Sequence, residues 1–143
     1  MAEDEAIRTI HTAIDLGINL LDTADAYGLG VSEELVGKAI KDRRDKVYVA
    51  TKVGNFARRT GSPLAYDTPH HVYLCCDASL GRMKIDTIDF YQCHIGDLAD
   101  PSIFLEAFAR LTEQGKIRAY GISTNSLSVA EAFNRDGTCA AIQ

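Results

Sequence analysis

Three short apolar runs of this sequence end in polar side chains that can hold or transfer protons. The first run ends in Asp22, with Tyr27 five positions later, and two further runs end at Lys52 and His94. A buried apolar run has no need of a carboxylate or an ammonium, because either charge is costly to bury without a partner. We therefore predict that the ends of these runs meet in space and that the four groups form one proton-transfer site.

Together the four groups would polarise a carbonyl. A free tyrosine, with a pKa near ~10, is a poor acid at neutral pH, but an adjacent ammonium favours the phenolate. A carboxylate would keep that ammonium charged and fixed, and a neutral imidazole can hydrogen-bond the oxygen that receives the proton. The residue types thus predict Tyr27 as general acid towards a carbonyl. Hydride from a cofactor is the natural partner of such a carbonyl.

The elements that must position these side chains alternate along the chain. The spacing of Ile7, Ile10 and Ile14 predicts a helix over residues 3 to 16, closed by Gly17. Further helices are predicted to begin at Ser32, at Thr68-Pro69, at Asp100-Pro101 and near Val129. Strands are predicted at residues 18–21, 47–50, 88–93, 117–122 and 139–142. Residues 54–67 are predicted to be a long, functional loop.

Strict alternation of helices and short apolar strands predicts an α/β fold with a parallel sheet covered by helices. Two architectures fit, a doubly wound open sheet and a (β/α)8 TIM barrel. The dinucleotide-binding open sheet would carry GxGxxG after its first strand, and Gly28 and Gly30 lack the third glycine. A barrel gathers its chemistry at the carboxyl ends of several strands, which is the pattern of the polar residues here.

A barrel needs eight strands and about 250 residues, whereas five strands are predicted in these 143 residues. We therefore predict a partial barrel domain over residues 1–143 that supplies about strands 2–6. Its open edges lead us to expect that the 143-residue chain alone aggregates and binds cofactor poorly.

Composition excludes several other classes of protein. The formal net charge of −5 argues against nucleic acid as a partner, and no apolar run reaches the roughly 18 residues of a membrane helix. The acidic N-terminus is unlike a signal peptide. The spacing of Cys75, Cys76, Cys93 and Cys139 fits neither a zinc site nor a redox CxxC. We expect free thiols, no metal site and a cytoplasmic location, and the oligomeric state is left open.

Six segments resemble the aldo-keto reductase family over nearly the whole chain. These are GINLLDTADAYG, SEELVGKAI, VYVATKVG, IDFYQCH, GKIRAYGIST and AIQ. The resemblance implies a (β/α)8 barrel that transfers hydride from NADPH to small aldehydes and ketones, or runs the reverse alcohol oxidation. It implies that Asp22, Tyr27, Lys52 and His94 are the family's catalytic tetrad.

The same resemblance implies where the nicotinamide cofactor is held. In the family a Ser-Asn pair and a later Gln bind the carboxamide, which places Ser123 and Gln143 at the cofactor. Thr124 stands where the Asn is usual and Asn125 follows it, so both are candidates. The cofactor is expected to be NADP(H), with NADH as the alternative.

Two other interpretations are weighed against a reductase. One is a nucleotide-binding regulatory subunit of the same fold, and the other is an inactive truncated product. A complete tetrad favours the enzyme, because a pure binder needs no proton donor. Asp25 lies past the strand end and is predicted to be a loop carboxylate. Phe56, Arg58 and Arg59 either line the substrate entrance or belong to a solvated loop.

Overall fold

The computed structural model describes residues 2–61 and 65–143. The strands are β1 Leu20–Asp22, β2 Tyr48–Val53, β3 Ile88–Cys93, β4 Ile117–Ile122 and β5 Ala141–Ile142. The helices are α1 Glu3–Asp15, α2 Val31–Ile40, α3 Phe56–Thr60, α4 Pro69–Met83, α5 Ser102–Glu113 and α6 Leu127–Phe133, with 3₁₀ turns at Tyr27–Gly30 and Arg44–Lys46. No helix within the described ranges combines the length and apolarity needed to cross a membrane.

All five strands are parallel and lie in chain order in one sheet. Helices connect successive strands, as a parallel sheet requires. The sheet curls, since the side chain of Gln143, just beyond β5, reaches Asp22 at the end of β1. This curled parallel sheet with its helices confirms the prediction of about five strands of a (β/α)8 barrel.

Aromatic side chains fill the space between the sheet and its helices. Phe108 of α5 is the centre of this packing, with its ring centroid 5.5 Å from Tyr91 of β3 and 5.9 Å from Phe104. Phe133 of α6 adds a third ring at 6.2 Å. All four residues are buried, so α5 and α6 are fixed against the outer face of the sheet. The inner face carries Asp22 and Lys52.

A glycine allows α2 and α4 to approach closely. A Cβ atom on Gly37 would lie only 2.3 Å from the carbonyl oxygen of Met83. That atom belongs to the backbone and cannot rotate away, so only glycine fits this crossing. The contact brings the end of α4 beside α2.

Several local predictions differ from the structure. β2 is Tyr48–Val53 rather than residues 47–50, and β5 is Ala141–Ile142 rather than residues 139–142. β1 begins at Leu20 rather than residue 18, because the amides of Gly17 and Ile18 still close α1 by donating to Ile14 and Ala13. Ser32 is not the N-cap of α2. That position is taken by Gly30, and the Ser32 hydroxyl instead accepts a hydrogen bond from Thr23.

The predicted loop over residues 54–67 also differs, because it contains the short helix α3. Its residues 62–64 lie outside the described part of the chain.

Candidate active site

The four residues of the predicted tetrad lie at one edge of the sheet. Asp22 ends β1, Lys52 is the penultimate residue of β2, and His94 directly follows β3. Tyr27 opens the 3₁₀ turn that leads into α2. Because the strands are parallel and in register, their carboxyl ends meet at this edge. The amide of His94 continues the ladder by donating to Val53 O at 2.7 Å.

Lys52 and Asp22 form a half-buried ion pair. Lys52 Nζ donates to Asp22 Oδ1 at 2.7 Å and to the carbonyl oxygen of Thr23 at 2.8 Å. The lysine side chain is 2% exposed and that of Asp22 is 35% exposed. A buried ammonium is tolerated only where acceptors replace its water, and these two oxygens do so.

Tyr27 lies between the ammonium and the imidazole. Lys52 Nζ is 5.2 Å from the centroid of the phenol ring, within the range of a cation–π contact. The rings of Tyr27 and His94 meet edge to face, with centroids 6.0 Å apart and an interplanar angle of 83°. Tyr27 is 40% exposed, so a ligand at the open end of the sheet can reach it.

Burial and the positive charge of Lys52 lower the pKa of His94, although Asp22 opposes the shift. Burial is the larger cause, because a half-buried imidazolium loses part of its hydration. The imidazole is therefore neutral at pH 7. It can donate one hydrogen bond without competing with Lys52 as a second cation.

The predicted cofactor residues lie at the far side of the same edge. Ser123 and Thr124 follow β4, and the amide of Thr124 donates to Gln143 O at 2.9 Å. The Thr124 hydroxyl is already engaged, donating to Gly96 O at 2.5 Å and accepting from Ser126 N at 3.0 Å. Asn125 is exposed.

Gln143 belongs to the tetrad's surroundings as well. Its Nε2 donates to Asp22 Oδ2 at 2.9 Å. The two oxygens of Asp22 are thus divided between Lys52 and Gln143.

Gln92 is a polar residue of this edge that sequence reasoning missed. It is buried on β3, in register with Lys52 of β2. Its Oε1 atom and the Nδ1 atom of His94 have no hydrogen-bond partner within the described residues. The sequence does contain a sign of this, because Gln92 and His94 are two residues apart and side chains at that spacing on a strand lie on one face.

A second polar group lies behind the sheet, on its outer face. Thr51 Oγ1 donates to Glu33 Oε1 at 2.6 Å, and Arg82 Nε donates to Glu33 Oε2 at 2.6 Å. Glu33 and Thr51 are fully buried. Arg82 also donates to Ser79 Oγ at 3.2 Å. These residues join α2, β2 and the last turn of α4.

Asp25 is a buried carboxylate close to this edge. It lies in the turn after β1, as a loop carboxylate would, but it is only 2% exposed. Its carboxylate oxygens have no hydrogen-bond partner within the described residues. Burial, and next the negative charge of Glu33, raise the pKa of Asp25 to about 7. No sequence signal distinguishes this carboxylate from a solvated one.

The edge as a whole presents a phenol beside a paired ammonium, a neutral imidazole, and neutral amide and hydroxyl side chains. Buried polar atoms without partners, such as Gln92 Oε1, normally find one in water or a ligand. Gln92, Ser123 and Gln143 would therefore suit an amide-bearing cofactor. Among residues 2–61 and 65–143, no group of three or more His, Cys, Asp or Glu side chains is arranged to hold a metal ion.

Comparison with known proteins gives this arrangement a context. The family model "Aldo/keto reductase family" matches residues 1–143. The "Uncharacterized oxidoreductase YqkF" of Bacillus subtilis (strain 168) is 40% identical over 143 residues, which are 98% of this chain and 46% of that protein. The chain thus spans about half the length of the relatives it matches.

Solved structures agree in fold. The holo form of aldo-keto reductase AKR11C1 from Bacillus halodurans has a TM-score of 0.87 and 35% identity, covering 99% of this chain and 48% of that one. An aldo-keto reductase from Klebsiella pneumoniae in complex with NADPH has a TM-score of 0.86 and 30% identity, with 99% and 48% covered. By sequence and by fold, the chain belongs to the aldo/keto reductase family.

Proposed function

We propose that the full-length protein is an NADP(H)-dependent oxidoreductase that transfers hydride to the carbonyl of a small aldehyde or ketone, or oxidises the alcohol in reverse. The observation that carries this proposal is the position of Lys52, which is held by Asp22 and lies 5.2 Å from the Tyr27 ring. An oxidoreductase name and an NADPH complex among the relatives support it.

Each residue of the tetrad has a distinct part in this proposal. Tyr27 donates the proton of its Oη atom to the carbonyl oxygen as general acid, and takes it back in the reverse direction. The ammonium of Lys52 stabilises the phenolate that remains. Asp22 and the Thr23 carbonyl fix that ammonium, and neutral His94 orients the carbonyl by donating a hydrogen bond.

The cofactor, when bound, supplies the hydride that the carbonyl carbon accepts. We assign Ser123, Asn125 and Gln143 to hold its carboxamide. Asn125 is a stronger candidate than Thr124, because the Thr124 hydroxyl is already committed to Gly96 and Ser126. Cofactor binding would draw the Gln143 amide away from Asp22, or the amide would contact both the cofactor and Asp22.

The test is NADPH consumption by the full-length protein with a panel of aldehydes, ketones and aldoses. Tyr27→Phe should lower kcat by roughly 10²–10⁴ and leave the Kd for NADPH unchanged. Tyr73→Phe, on α4 and in contact with His70 rather than the tetrad, is the matched control.

Unchanged turnover in Tyr27→Phe would rule out the proton-donor role. NADPH binding without turnover of any carbonyl would favour the regulatory subunit instead.

A further inference from the structure

Two of the tetrad residues, Tyr27 and Lys52, lie on segments that need a common support. Lys52 belongs to β2, whereas Tyr27 belongs to the 3₁₀ turn before α2. The residues that precede this turn contact β2 through backbone hydrogen bonds such as Asp25 N to Lys52 O at 3.2 Å. That bond is long, and Tyr27 is two residues further on, so it does not by itself fix the phenol.

Arg82 contacts the Tyr27 turn directly and the Lys52 strand through Glu33, from behind the sheet. Through Glu33 it is linked to Thr51, the residue before Lys52, by two hydrogen bonds of 2.6 Å each. Its aliphatic stem lies against Gly30, the last residue of the turn that Tyr27 opens. A Cβ on Gly30 would be 2.7 Å from Arg82 Cδ, so glycine leaves the space that the stem fills.

We propose that Arg82 is a positioning residue for the tetrad, holding the Tyr27 turn and the Lys52 strand at a fixed separation through Gly30 and through Glu33 and Thr51. It touches neither substrate nor cofactor in this scheme. The inference rests on the proposed function for its effect on turnover, but not for its effect on the distance between the Tyr27 and His94 rings.

The geometry explains why an arginine serves here. Its Nε–H points at Glu33 while a second guanidinium nitrogen reaches Ser79, which fixes the plane of the group. Lysine would keep the charge and the stem but would lose the second, directional contact. A small misplacement of reacting groups is costly, because about 1 Å can change a rate by about 10²-fold.

The test compares Arg82→Met, Arg82→Lys and the double variant Arg82→Met/Glu33→Gln in the full-length protein. The double variant also removes the charge of the fully buried Glu33, so the protein is not left with an unpaired buried carboxylate that could prevent folding. We expect kcat to fall at least about tenfold in Arg82→Met and in the double variant. Arg82→Lys should retain an intermediate kcat, and the KM for NADPH should stay within about twofold in all three.

The control is Arg110→Met, which removes an exposed ion pair with Glu113 on α5 and should leave kcat unchanged. A second readout is the NMR cross-relaxation between the Tyr27 and His94 rings, which should weaken in the Arg82 variants. This readout tests the positioning role even if the full-length protein reduces none of the carbonyls in the panel.

A folded double variant with wild-type kcat and an unchanged ring contact would overturn the inference. If neither Met variant folds, Arg82→Lys decides. A several-fold lower kcat with unchanged cofactor KM supports the positioning role, and wild-type kcat refutes it.

Discussion

The side-chain amide of Gln143 donates a 2.9 Å hydrogen bond to Asp22, across 121 residues of sequence. The bond joins the ends of the first and last strands of the sheet, so one carboxylate contacts both sides of the site. Asp22 therefore stabilises two things, the charge of Lys52 and the curl of the sheet. Because Asp22 balances the charge of Lys52, loss of either partner of the ion pair should affect stability to a different extent.

Asp22→Ala should destabilise the protein more than Lys52→Met. Removal of the carboxylate leaves a lysine side chain that is 2% exposed with only the Thr23 carbonyl as acceptor, at a cost of about 3 kcal/mol. Removal of the lysine leaves Asp22, which water and Gln143 can solvate, at about 1 kcal/mol. Urea unfolding of both variants measures the difference. Equal losses would show that the ammonium finds another partner.

Lys52→Met should raise the pKa of His94 only part of the way to its ordinary value. The positive charge of Lys52 is the second cause of the lowered pKa, and burial, the larger cause, remains. Titration of the imidazole ring signals by NMR gives the value in each variant, with Arg110→Met as a remote control. A fall of the pKa in Lys52→Met would contradict the assigned cause.

Stability should depend on the protonation of Asp25. Its pKa is raised to about 7 in the folded state, from an ordinary value of 3.8, so folding binds the proton. The resulting stabilisation is complete below pH ~4 and is lost as the pH rises towards 7. Asp25→Asn removes this dependence. Between pH 4 and pH 8, its free energy of unfolding should therefore rise relative to that of the wild type by up to about 4 kcal/mol.

Urea midpoints of the wild type and Asp25→Asn at pH 4, 6 and 8 test this directly. The informative quantity is the difference between the two proteins, because other groups titrate equally in both. A difference that stays constant over this range would mean that Asp25 is ionised throughout.

Gly37→Ala should separate α2 from α4. The new methyl group would lie 2.3 Å from Met83 O, and overpacking of this kind costs about 1–3 kcal/mol. Gly81→Ala is the matched control, because it is an exposed glycine of α4 with nothing within 4 Å of the new methyl. That change should stabilise the protein by about 0.5–1 kcal/mol. Thermal unfolding of both variants gives the comparison.

The 143-residue chain produced alone should self-associate and bind NADPH poorly. Leu20 and Tyr48 are neighbours in register on the inner face, and they are 52% and 56% exposed. Unpaired strand edges with apolar side chains favour association. Light scattering after size exclusion measures the mass. A monomer with micromolar affinity for NADPH would contradict this expectation.

Strand positions were predictable where an apolar run was bounded by clear breaks. β3 and β4 match the predicted residues 88–93 and 117–122 at both ends. β1 does not, because a helix cap consumes the amide of Ile18. A competition between a cap and a strand depends on local hydrogen bonds that apolar periodicity does not report.

The polar residues at the strand ends were predictable because parallel strands bring their carboxyl ends to one edge. The group behind the sheet was not. Glu33 and Arg82 are separated by 49 residues, and each lies on a helix where an acidic first turn or a basic last turn is ordinary. Only the close approach of α2 and α4 at Gly37 shows that these charges are partners.

The second acceptor of Lys52 has a consequence for variants of the ion pair. Thr23 O is a backbone carbonyl, so no substitution of a side chain removes it. A variant that lacks the Asp22 carboxylate therefore still offers the lysine head group one acceptor at 2.8 Å. The lysine should keep its position in the strand even where its charge is no longer balanced.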